Sequence, residues 1–195
     1  GGFNDTYFAY VASFGELAAV SCFTPQSAKK AFGRAAYITR GVKTLLTLKG
    51  HRVKVTYDGG VIEGKFFLGM VSNAHSVGGF EGICGMDVDL QDGLLEVSLV
   101  KKPRRFGDMA RIIDALLIDP GNEMVAQDLV YKFKTSSVTL ESEEPIQWVV
   151  DGENAHTHSK VEIVNHNEAI EMMSGKPEPG TERVFLGFPW VPGNL

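Results

Sequence analysis

Along most of this chain hydrophobic and polar positions alternate with a period of two, the repeat of a strand with one face buried. Val53, Val55 and Tyr57 interleave with polar residues up to Asp58-Gly59-Gly60, and an apolar run returns over residues 61–72. An Asp-Gly-Gly tip between two such runs predicts a hairpin. Strands are also predicted at residues 7–13, 94–100, 129–134, 137–142, 146–150 and 160–164, with a last one at 168–173 after the turn Asn165-His166-Asn167. Two stretches change period. Thr24-Pro25 offers an N-cap and a first-turn proline, and Phe32, Ala35, Ala36, Val42, Leu45 and Leu46 recur at helical spacing before Gly50. They predict one long helix of about 24 residues. A second helix is carried by Phe106, Met109, Ile112, Ile113, Leu116 and Leu117 and is stopped by Asp119-Pro120-Gly121. Strands in series with two inserted helices predict a mainly β (α+β) chain, folded as an antiparallel β-sandwich.

Composition narrows the classes of function. The 195 residues carry a net charge of −5, whereas a nucleic-acid binder shows a basic footprint. No run of eighteen apolar residues is available to span a bilayer, and the first residues lack the basic and apolar regions of a signal peptide. Cys22 and Cys84 are far apart and form no CxxC pattern, so they read as free thiols of a reducing, cytoplasmic compartment. Beyond Ser174 prolines and glycines accumulate, marking residues 174–195 as a surface tail in which Phe185, Phe188 and Trp190 would need cover.

Four features offer chemistry, each beside a plainer reading. Residues 59–64 are glycine-rich, but with strands on both sides they read as a hairpin turn rather than a phosphate loop. His156 and His158 would share one face of a strand, yet no third ligand follows at a usable spacing. Asp87-Val88-Asp89-Leu90-Gln91-Asp92-Gly93 departs from an EF-hand loop; it suits a hard divalent cation or simply an Asp-Gly turn entering a strand. Asp151-Gly152-Glu153 follows the buried-looking stretch 147–150, so Glu153 is placed either as a base on a substrate hydroxyl or as a solvated hairpin residue. A basic run, Lys101-Lys102-Pro103-Arg104-Arg105, precedes apolar Phe106; it reads as a solvated loop or as a contact for anionic headgroups.

Taken together, four stretches resemble the C-terminal domain of the bacterial diacylglycerol kinase-like lipid kinases, the YegS/BmrU group. Residues 7–15 (YFAYVASFG) are similar to that family's "yFxNvAsxGf" strand, and Val71-Ser72-Asn73 with Gly78-Gly79 to its "vgNxxxxGGG". Residues 89–97 (DLQDGLLEV) are similar to "xLdDGLLdV", and Val150-Asp151-Gly152-Glu153 to "xDGE". The resemblance covers roughly residues 3–173. Phe80 stands where the family has its third glycine, and Cys84-Gly85-Met86-Asp87-Val88 replaces "iaPdA". The tail has no counterpart.

The resemblance implies a β-sandwich domain over residues 3–173, the second lobe of a two-lobe lipid kinase. The nucleotide-binding lobe with its GGDGT signature is not in this sequence, so ATP would enter as co-substrate through that other lobe. It further implies Glu153 as the proton acceptor and Asp151 as its orienting neighbour or an approach to the catalytic Mg²⁺. A second Mg²⁺, or Ca²⁺, would be held by the Asp92 side chain with Asp89 and Leu94 giving chiefly backbone carbonyl oxygens. The implied partners are a lipid at the inner membrane face, where the enzyme would be peripheral, and the missing lobe; no nucleic acid is expected, and a homodimer is left open. The competing reading is a non-catalytic β-sandwich module that binds a lipid or a protein.

Overall fold

The computed structural model describes residues 1–15, 49–78, 84, 87–118 and 126–170. The long helix expected between Thr24 and Gly50, Cys22, and the tail lie outside the described residues. Among the described residues there are nine strands: β1 (Gly2–Phe3), β2 (Thr6–Tyr7), β3 (Val11–Gly15), β4 (His51–Tyr57), β5 (Gly60–Ser72), β6 (Leu95–Lys101), β7 (Val130–Thr135), β8 (Ser137–Val150) and β9 (Glu153–Val164). Helix α1 (Phe106–Ile113) runs on into a π-helical segment, Asp114–Ile118.

Every strand pairing is antiparallel, in the order β2-β1-β9-β8-β3-β5-β6-β7. Strand β4 adds a second connection, pairing with both β5 and β8. The two long strands therefore each serve two neighbours. The first half of β5 pairs with β4 and its second half with β3 and β6. The first half of β8 pairs with β4 and its end with β3. Register shifts lie between Phe66 and Leu68 on β5 and between Glu141 and Ile146 on β8. Such bulges bend and twist a strand, which lets one strand pass from layer to layer of a sandwich.

The alternation read in the sequence fills the space between the layers. Phe3, Phe14, Val55, Phe66, Val71, Leu95, Val97, Leu99, Trp148 and Ile163 form its centre. Trp148 stands edge-to-face against Phe3 and Phe14, with ring centroids 5.2 and 5.1 Å away. That geometry suits the ring quadrupoles and adds about 0.5–1.5 kcal/mol per pair beyond burial. On the outer face of β5 and β6, α1 covers Phe67, Leu68 and Val100 with Met109, Ile112 and Ile113, three residues at helical spacing. Asp108 in the first turn of α1 accepts the Arg104 and Arg105 N–H groups at 2.9 and 3.0 Å, satisfying donors that precede the helix.

The strand expected over residues 7–13 is in fact two, β2 and β3, interrupted at 8–10, where the Phe8 N–H goes to the Gly1 carbonyl and those of Ala9 and Tyr10 turn to a side chain described below. The strands expected at 137–142 and 146–150 are one, because the bulge absorbs Pro145 without ending the pairing. Strand β9 begins at Glu153 rather than at residue 160, since a two-residue turn joins it directly to β8. Residues 168–170 are not strand: Glu168 sits at φ 53°, in a turn, and residues 171–173 lie outside the described residues.

Gly69 on β5 has a defined purpose. A Cβ there would lie 2.0 Å from Cε1 of the buried Phe14 ring, so only a bare backbone lets that ring lie flat across β5. Gly69→Ala is expected to cost roughly 1–3 kcal/mol by overpacking, read as a lower urea midpoint at unchanged slope. An unaltered midpoint would mean that Phe14 can leave this position freely.

Candidate active site and the acidic turn

Asp151 and Gly152 form the two-residue turn between β8 and β9, with φ 48° and 89°. Two consecutive positive φ values define the hairpin turn that Asp-Gly favours, because glycine bears no steric cost there and aspartate tolerates the left-handed region. The Asp151 carboxylate reaches across to the start of β3. Its Oδ2 accepts the Ala9 N–H at 2.7 Å, and its Oδ1 accepts those of Tyr10 and Val11 at 3.0 and 2.8 Å. The Asp151 N–H in turn donates to the Val11 carbonyl at 2.8 Å. Both carboxylate oxygens are thus engaged by backbone donors, and Asp151 serves as the clasp between the hairpin and β3.

Glu153 is the first residue of β9, paired with Val150. Its side chain is exposed, and no hydrogen bond or ion pair engages it among the described residues. The clasp also reaches the end of β5. Tyr10 accepts the Asn73 N–H at its carbonyl, its hydroxyl donates to the Ser76 carbonyl at 3.0 Å, and that hydroxyl accepts the Gly78 N–H at 3.1 Å. Asn73 Oδ1 is buried without a partner. Stretches 7–15, 71–78 and 150–153, far apart in sequence, are therefore joined by hydrogen bonds through Tyr10 and Asp151.

The acidic turn is a neighbour through β6. Asp89 Oδ1 accepts the Gln91 N–H and Asp92 Oδ1 the Leu94 N–H, each at 2.9 Å, while Gly93 turns the chain at φ 76°. Lys134 on β7 donates to Asp92 Oδ2 at 2.9 Å. The Leu94 carbonyl accepts a hydrogen bond from Asn165 at 3.0 Å. Partial burial pushes the Asp92 carboxyl up, but the Lys134 and Leu94 hydrogen bonds prevail and hold it below the ordinary range. Lys134 is raised for the matching reason, chiefly its hydrogen bond to Asp92.

Glu96 lies behind this turn. In the alternating run of β6 it reads as a solvent position, because Leu95, Val97 and Leu99 point inward. The outer face is covered, however, and Glu96 is 2 % exposed with neither carboxylate oxygen hydrogen-bonded. Burial pushes its carboxyl up to about 7, with the charges of Asp92 and Asp89 adding to the rise and that of Lys134 opposing it. No sequence signal marked Glu96 apart from its place within the family-like stretch 89–97. Cys84 beside it is buried, free, 3.6 Å from the Ser72 hydroxyl and pushed by burial up to about 11, which leaves its thiol un-ionised at neutral pH.

The histidines are placed otherwise than a strand face would put them. His156 takes φ 62°, breaking the alternation, and His158 hydrogen-bonds through Nε2 to the Ala155 carbonyl. No group of three or more His, Cys, Asp or Glu gathers to hold a metal among the described residues. At the acidic turn both Asp92 oxygens already accept, from the Leu94 N–H and from Lys134, and the Leu94 carbonyl accepts from Asn165, so a hard cation there would have to displace Lys134 and Asn165.

The pattern of the YegS C-terminal NAD kinase beta sandwich-like domain matches residues 11–171, and the chain belongs to that family. A diacylglycerol kinase of Bacillus subtilis (strain 168) is 30% identical over 150 residues, 77% of this chain and 48% of the relative. One of Staphylococcus aureus (strain Newman) is 29% identical over 153 residues, 78% of this chain and 47% of the relative. The crystal structure of a diacylglycerol kinase from Bacillus anthracis str. Sterne has the same fold, with a TM-score of 0.55 at 24% identity, over 84% of this chain and 51% of its own. The chain spans about half the length of the curated relatives it matches. No helix among the described residues is long and apolar enough to cross a membrane.

The Glu96 carboxyl gives the lobe a pH dependence with a defined sign. Unfolded, it ionises near the ordinary 4.5; folded, near 7. Between those values the unfolded chain has released a proton that the native state retains, so its share of stability is full below about 4.5 and is lost as the pH rises through 7. Glu96→Gln should flatten thermal stability across that window and raise the melting temperature most above it. Parallel melting curves for the two proteins would place the titration on another group.

Proposed function

We propose that this chain is the acceptor-side lobe of an ATP-dependent lipid kinase, transferring a phosphoryl group to a lipid hydroxyl, most simply that of diacylglycerol. A nucleotide-binding lobe supplies ATP and its Mg²⁺ in this reading. The observation that carries it is the Asp151–Glu153 hairpin: a free carboxylate at the end of a turn whose backbone is locked to β3. In phosphoryl transfer the protein chiefly positions the reactants and stabilises charge, and a positioned carboxylate accepts the proton of the attacking hydroxyl. Glu153 takes that role here. Asp151 fixes where Glu153 stands through the backbone, since its oxygens are already occupied by three N–H donors. The names of the relatives support this chemistry, and the matched part of this chain covers about half of each of those diacylglycerol kinases.

A hard divalent cation, when bound, would neutralise the acidic turn and stiffen it. Asp92 would provide its carboxylate, and Asp89 and Leu94 their carbonyl oxygens. The protein would work as a peripheral enzyme at the inner membrane face, where its lipid resides.

In the two-lobe protein Glu153→Gln is expected to lower kcat about 10²- to 10⁴-fold with KM unchanged, because a base acts in the transition state. Asp151→Asn should instead lower the melting temperature along with activity. Labelled ATP and diacylglycerol in mixed micelles supply the assay. Retention by Glu153→Gln of more than about a tenth of kcat, less loss than a general base entails, would remove Glu153 from the chemistry and favour the non-catalytic binding module.

For the cation, thermal melts of this chain with CaCl₂ or MgCl₂ should show a small upward shift that Asp92→Asn abolishes. A shift that survives the substitution puts the ion elsewhere.

A further inference from the structure

The chain is net negative, yet one cavity gathers its positive charge. The cavity, of about 250 Å³, is lined by Lys49, His51, Arg52, Lys65 and Lys102, with Glu143 and Glu144 at its rim. The two glutamates neutralise two of the cations: Glu144 takes Lys49 at 3.0 Å and Glu143 faces Arg52 at 3.6 Å. Among the described residues Lys65 and Lys102 make no ion pair within 4 Å; Glu144, already held by Lys49, acts on Lys65 only at longer range. Nor are they brought together by accident of reach. The Lys102 N–H donates to the Lys65 carbonyl at 2.8 Å, and both side-chain stems lie over the buried Gly50. A Cβ at position 50 would be 2.9 Å from Lys102 Cδ and 3.0 Å from Lys65 Cγ, so the missing side chain is what lets the two lysines close on one spot.

We infer that this cavity is a phosphate-binding site, in which the Lys65 and Lys102 ammonium groups take a phosphate group as their counterion. The argument is one of charge and geometry. The two lysine stems converge over Gly50 and both side chains line one cavity without a close ion pair, and a tetrahedral oxyanion there could accept a charge-assisted hydrogen bond from each. Lysine binds phosphate as a point charge; the flat arginine fork that would select a carboxylate is already facing Glu143. The volume is roughly that of eight waters, room for a phosphate and its inner hydration. His51 reports the same field: burial lowers it first, and Lys49 and Lys65 lower it further against Glu144.

The site is separate from the proposed base. Lys65 and Ser72 are seven positions apart on β5, so at about 3.3 Å per residue the cavity lies roughly 20 Å along that strand from the Asp151 clasp. It also divides the basic run met in the sequence. Lys101 is occupied by the Tyr131 hydroxyl and ring, whereas Lys102 turns to the cavity. The shared chemistry is the phosphate group, whether free or on a lipid headgroup, and the inference stands independently of the kinase reading.

The test uses the whole chain. Inorganic phosphate is titrated while side-chain NMR follows His51, and sedimentation compares phosphatidylcholine vesicles with vesicles that also contain phosphatidylglycerol. Saturable phosphate binding should raise the His51 titration midpoint, because a nearby anion favours the imidazolium. Lys65→Gln/Lys102→Gln should weaken the response at least about tenfold, the worth of one such hydrogen bond. Lys54→Gln/Lys160→Gln, which removes equal charge elsewhere, should leave it unchanged, with thermal melts confirming that both variants fold. A response to inorganic phosphate identifies a free-phosphate site, and one confined to phosphatidylglycerol vesicles identifies a headgroup site. Absence of both, or equal weakening in both double variants, overturns the inference.

Discussion

One carboxylate holds the working end of this lobe together. Asp151 receives three consecutive backbone N–H groups, those of Ala9, Tyr10 and Val11, and returns its own N–H to Val11. Those donors cannot all join a ladder, because β3 begins only at Val11. Without the aspartate they would be left to water, and the entry to the central strand β3 would be free to fray. Once pinned, Tyr10 carries the constraint on to residues 73, 76 and 78 at the end of β5. A residue that chemistry would suggest for metal or base duty is thus occupied in architecture, and the carboxylate two positions later is the one left free.

The same division of labour runs through the other charged groups. Asp108 serves the approach to α1, Asp58 accepts from Thr135 and Ser136, and Asp92 is shared between Leu94 and Lys134. Each has backbone or hydroxyl donors that account for its position. Among the described residues the Glu96 carboxylate oxygens have no such partner, and Lys65 and Lys102 make no close ion pair. The groups without local partners are the informative ones. Burying an unpaired carboxylate is costly, and the protein meets that cost by keeping Glu96 largely protonated at mildly acidic pH rather than by pairing it.

Much of the fold was legible because strand periodicity and turn chemistry agree. The Asp58-Gly59 hairpin, β6 and α1 appear where alternation and helical spacing predict them. The errors fall where long-range contacts override local pattern. Pro145 looks like a strand end but lies in a bulge, and 8–10 look like strand, but Phe8 donates to the Gly1 carbonyl and Ala9 and Tyr10 to Asp151. Residues 168–170 scan as strand and are not, for nothing pairs with them. The Asp-Gly pattern puts Asp151 in a turn with Glu153 just after it, but only the fold reveals that Asp151 is engaged and Glu153 is not. Glu96 was hidden because period-two alternation marks one face as buried and cannot show that the other is covered too. The lysine cavity was hidden because its members come from β4, β5 and the link to α1.

Strand β3 has a consequence for how this protein is made. Its two neighbours are β5, which follows soon after it, and β8, whose Val150 pairs with Ala12. A ribosome emitting about 5–20 residues per second takes on the order of 7–30 s to travel from Ala12 to Val150. For that interval one edge of a largely apolar strand, and the face that Trp148 will later cover, stays open on the nascent chain. The ring of β3, β5, β4 and β8 therefore closes only once β8 has been made, and an open apolar edge of that kind is exposed to wrong pairing in the meantime.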